Sequence, residues 1–64
     1  MSQKMDPIRQ IIGEMVVKLC EAKLPVDKSS ISEKLIRVTN KEPAGSERNR
    51  TATLALDFLA KSEA

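Results

Sequence analysis

Residues 8–20 read Ile-Arg-Gln-Ile-Ile-Gly-Glu-Met-Val-Val-Lys-Leu-Cys, and their apolar positions recur with the period of an α-helix. Ile8, Ile11, Ile12, Met15, Val16, Leu19 and Cys20 fall at i, i+3, i+4, i+7, i+8, i+11 and i+12. A helix gathers those positions on one face, whereas a strand, with its period of two, scatters them. Glu14 and Lys18 stand outside the stripe at i, i+4, in the order that favours ion pairing. Asp6-Pro7 supplies an N-cap and a first helical residue. Pro25 confines Leu24 to extended conformations, so the helix is expected over about 7–23, after a flexible start at 1–5. The thiol of Cys20 lies on the apolar stripe and is expected in the core as a small hydrophobe. One residue breaks the pattern: glycine in a helix interior costs about 1 kcal/mol relative to alanine. Gly13 is therefore expected to admit the close approach of another helix, from a second subunit in particular.

Working outward, two more helices are predicted. Asp27 is the preferred N-cap of the second, over 28–40, with Val26 and Ile31 at the spacing of a hydrophobic staple. Ser30 with Glu33 is a rival capping box. Ile31, Leu35 and Val38 point inward, and Glu33 is spaced to pair with Arg37. Glu42-Pro43-Ala44-Gly45-Ser46 is the clearest break, and Ser46 caps a third helix over 46–61. Leu54, Ala55, Phe58 and Leu59 are its expected apolar face, flanked by Ala52 and Leu56, and Asp57 is spaced to pair with Lys61. No stretch alternates over strand length. The expected fold is all-α, one small three-helix domain over residues 1–64.

A chain of 64 residues builds only a small core. Below about 70–80 residues one core seldom supplies more than about 3–5 kcal/mol, and disulfides, metals or partner subunits supply the rest. A single cysteine forms no internal disulfide, and a chain without histidine or a CxxC pair has no ordinary zinc site. A homodimer, intertwined or side by side, is the remaining source of stability. Ile12, Gly13, Val16, Leu19, Leu35, Phe58 and Leu59 are its candidate core or interface residues. The absence of an apolar leader or of an 18-residue apolar run, with a free thiol, predicts a cytoplasmic protein.

Catalysis, cofactors and metals are not expected. The commonest general base is missing, Ser29, Ser30 and Ser32 have no base in sight, and Gly13 and Gly45 are too isolated for a phosphate-cradling loop. The acidic and polar run at 27–33 lacks the central glycine and closing glutamate of a calcium loop. Lys34, Arg37 and Lys41, at i, i+3 and i+7, share one face of the second helix and could meet a protein partner or DNA. Lys28, Arg48 and Arg50 could extend that stripe. Against it stands an ordinary solvated face, with Glu33 balancing Arg37. A net charge of +2 is too mild to indicate nucleic acid by itself.

The aliphatic-Gly13-Glu14-x-Val16 pattern is followed by Leu19, Val26, Ile31 and Leu35, and then by the stretch Arg50 to Leu59. Together they resemble the AriR/YmgB family of small enterobacterial biofilm and acid-resistance regulators, also called two-component-system connector proteins. The likeness covers about Ile11 to Leu59. It implies an all-helical cytoplasmic homodimer without catalytic residues, which acts on biofilm formation and acid or stress response through the response regulator of the Rcs phosphorelay. Direct DNA binding is the alternative it carries.

Overall fold

Asp27 and Ser46 begin two of the three helices. The Asp27 carboxylate accepts a hydrogen bond from the Ser30 amide at 2.8 Å, and the Ser46 hydroxyl accepts one from the Asn49 amide at 3.1 Å. Each satisfies a backbone donor that a helix start leaves orphaned. The rival cap at Ser30 therefore lies inside the helix. The computed structural model describes residues 5–62 and contains α1 (Met5–Glu21), α2 (Lys28–Lys41) and α3 (Glu47–Lys61), with no strand among the described residues. The all-α expectation holds.

The ends of α1 differ from the sequence reading. The helix starts at Met5, so Asp6 and Pro7 sit in its first turn instead of capping it. Proline is harmless there, because the first amides have no helical partner in any case. The expected flexible start otherwise lies outside the described residues. At the other end α1 stops at Glu21, before the restriction from Pro25 acts. Lys23 takes the left-handed conformation at φ 60°. The Leu24 amide then bonds the Leu19 carbonyl at 2.9 Å, and the Lys23 amide bonds Cys20 at 3.1 Å. This is a Schellman closure with lysine where glycine usually stands.

α2 runs one residue past the expected end at 40, to Lys41, and Glu42, the residue before Pro43, is extended at φ −83°, ψ 144°. The Ser46 amide bonds the Pro43 carbonyl at 3.1 Å across a turn with Gly45 at φ +89°. A turn with positive φ at its third residue is type II, which favours glycine there. The side-chain amide of Asn49 then donates to the carbonyls of Thr39 at 2.9 Å and Glu42 at 3.2 Å. Those carbonyls stand at the end of α2 and lack helical partners. At the opposite end the Lys28 ammonium donates to the Ser62 carbonyl. α2 and α3 are thereby tied as an antiparallel hairpin, and α1 packs against both.

The core holds Ile8, Ile11, Met15 and Leu19 from α1, Ile31 and Leu35 from α2, and Ala52 and Ala55 from α3. Met15, Leu19 and Leu35 are the largest fully buried side chains. Two expectations are corrected here. α3 buries Ala52 and Ala55, while Leu54 and Phe58 remain exposed, Phe58 at 43%. Small side chains let neighbouring helices approach closely, so the bulky residues flank the contact. Cys20 is exposed, because Ile8, Ile11, Met15 and Leu19 already fill the narrower buried ridge. Gly13 is exposed as well, and a methyl group added there meets nothing within 4 Å. The tight packing within the protomer is at Ala52 and Ala55 instead.

Candidate functional site

α1 and α2 leave a groove between them. At one end, Met15 and Lys18 of α1 face Lys34, Arg37, Val38 and Lys41 of α2, with Glu42 and Arg48 closing a cavity of about 330 Å³. A second cavity of about 170 Å³ continues past Lys34 and Arg37 to Leu19, Leu24, Pro25, Ser30 and Glu33. Lys34 and Arg37 line both. The stripe at i, i+3, i+7 thus forms one wall of a recess, with Met15 and Val38 beneath one part and Leu19 and Leu24 beneath the other.

The charges at this groove divide into two sets. Arg48 is committed: its guanidinium forms a two-pronged bond to the Glu14 carboxylate at 3.2 and 2.5 Å and lies 4.0 Å from Glu42. Lys18 also reaches Glu14, at 3.5 Å. The hydrogen bond from Arg48 holds the Glu14 carboxyl below its ordinary pKa, against the opposing pull of partial burial, with the charges of Arg48 and Lys18 adding to it. The same bond raises Arg48. Lys34, Arg37 and Lys41 form no ion pair among the described residues. The expected Glu33–Arg37 pair is not made, whereas Glu14–Lys18 and Asp57–Lys61, at 3.2 Å, are. Lys28 and Arg50, offered as extensions of the stripe, instead bond the Ser62 and Gly45 carbonyls.

The candidate interface residues separate into three groups. Leu19 and Leu35 are 1% and 0% exposed, so they belong to the protomer core. Ile12, Val16 and Leu59 are half-buried against that core. Gly13 and Phe58 face solvent. One residue missed at the sequence level is Val17, 55% exposed. Gly13, Val16, Val17 and Cys20 stand at i, i+3, i+4 and i+7, which makes a second, outward stripe on α1. Its signal was available in the unbroken run Met15-Val16-Val17, too wide for a single buried ridge.

A further cavity, of about 310 Å³, lies between Pro7, Gln10, Ile11 and the start of α3, but its Glu14 and Arg48 satisfy each other. Among the described residues no group of three or more acidic or cysteine side chains is placed to hold a metal ion. No helix there is long and apolar enough to cross a membrane. Comparison with protein families, curated proteins and solved structures finds no match to this chain.

Proposed function

We propose that the chain is a small non-enzymatic regulatory adaptor that acts by binding, in the manner of the connector proteins it resembles. In this reading it pairs with itself and docks on a bacterial response regulator in the cytoplasm, with effects on biofilm formation and stress response. Binding one conformation of the regulator better than another shifts its active population, and no bond is made or broken. The observation that carries the reading is the groove: three cations that form no ion pair among the described residues line it beside apolar side chains. The second stripe of α1 supports self-pairing, since single exposed apolar residues are common but contiguous ones mark interfaces.

Binding of the purified chain to a purified Rcs-type response regulator tests the function. The Lys34→Glu/Arg37→Glu/Lys41→Glu variant should lose that binding while keeping its helical content by circular dichroism. If the regulator is not bound, the docking proposal fails; if the variant binds it equally well, the groove is not the docking face. The alternative is a nucleoid-type DNA-binding modulator that uses the same stripe. It requires affinity for duplex DNA at physiological salt with a steep loss as salt rises.

A further inference from the structure

We propose that the α1–α2 groove receives an acidic amphipathic segment of a partner protein, with its carboxylates at the Lys34–Arg37–Lys41 wall and an apolar side chain against Leu24 and Pro25. The inference rests on the adaptor reading above, but not on which protein is bound. Charge complementarity identifies the occupant. Lys34, Arg37 and Lys41 form no ion pair among the described residues, and with Lys18 they outnumber Glu33 and Glu42 on the lining of the two cavities. The neighbouring cavity is walled by Leu19, Leu24 and Pro25, and Leu24 is 48% exposed. A ligand that matches both parts carries negative charge and an apolar anchor a turn or two apart. Peptides that lay an amphipathic helix in a groove have this pattern.

Duplex DNA matches less well. Its phosphates lie on a convex surface and offer nothing apolar to Leu24 and Pro25. A partner carboxylate takes charge-assisted hydrogen bonds from the lysines and arginine of the wall, while an apolar neighbour in the same segment covers Leu24.

The test is an NMR titration of the isotope-labelled full chain with a synthetic peptide of about twelve residues, with leucine at i, i+4 and glutamate at the intervening outer positions. Saturable shifts are expected at Met15, Lys18, Leu24, Lys34, Val38 and Lys41 and not at Leu54 or Phe58. Replacing the peptide's glutamates by glutamine should weaken binding by about tenfold or more, the size expected for losing several partly exposed ion pairs. Replacing its leucines by serine should weaken it several-fold. The Lys34→Glu/Arg37→Glu/Lys41→Glu variant should lose the glutamate peptide and gain one carrying lysines instead, which separates lost recognition from lost folding. Equal binding of the glutamine peptide, shifts confined to other faces, absence of saturation, or tighter binding of duplex DNA would each overturn the proposal. A regulator that binds elsewhere on the chain would leave the adaptor reading intact and remove this one.

Discussion

Three backbone positions carry opposite signs for substitution. Lys23 holds a left-handed conformation that costs an L-residue about 1–2 kcal/mol, and glycine adopts it freely. Lys23→Gly should therefore raise stability by about 1 kcal/mol, which corresponds to roughly 4–8 °C in Tm for a domain of this size. Gly45, at φ +89°, is the converse, and Gly45→Ala should cost about as much, read by the same thermal melt. The penalty there is conformational, since the space around it is open. Gly13→Ala separates folding from pairing. Its added methyl meets nothing within 4 Å in the protomer, so helix propensity alone should stabilise the folded protomer by about 1 kcal/mol. If a second copy packs on the stripe from Gly13 to Cys20, the same change should weaken self-association in analytical ultracentrifugation. A rise in stability with unchanged association removes Gly13 from the interface.

The joints between helices are as specific as the caps. Asn49 satisfies two carbonyls at the end of α2 from the first turn of α3. Asn49→Ala leaves them without that donor and should cost about 1–3 kcal/mol, measured by urea unfolding. Glu14 joins α1 to α3 through Arg48. Its carboxyl is held below its ordinary pKa, as is that of Asp27, chiefly through the hydrogen bond from the Ser30 backbone. A carboxylate with a lowered folded pKa adds stability above its unfolded pKa, and that stability disappears as pH falls through the folded value. Melting temperature should thus decline as pH drops below the usual carboxylate range, and Glu14→Gln should flatten the decline. Because the pair is more than a third exposed, its loss at neutral pH should cost less than about 1 kcal/mol. Acid therefore loosens the α1–α3 joint.

At the scale of the whole molecule, the helices, the turn at Glu42–Ser46 and both internal caps were legible because each rests on local chemistry: Asp27, Ser46, Pro43 and the 3.6-residue stripe. The rotation of α3 was not. Leu54 and Phe58 outweigh Ala52 and Ala55 on any hydrophobicity count, yet close packing selects the small side chains. The end of α1 was misplaced because a left-handed lysine leaves no compositional mark. The basic stripe was visible at Lys34, Arg37 and Lys41, but its recess against α1 was not, since the depth depends on how α1 lies across the hairpin. The largest fully buried side chains of the core that results are Met15, Leu19 and Leu35. Leu35→Ala should cost about 2–5 kcal/mol, comparable with the whole stability of a chain this short, and should leave it largely unfolded by circular dichroism at low concentration.

Sedimentation equilibrium over a wide dilution series, with helical content followed in parallel, tests the central claim that the 7.1 kDa chain stands as a pair. The account predicts twice that mass at high concentration, with dissociation and loss of helix coupled on dilution. A species of 7.1 kDa that keeps its full helical content and its melting temperature at every concentration would contradict it.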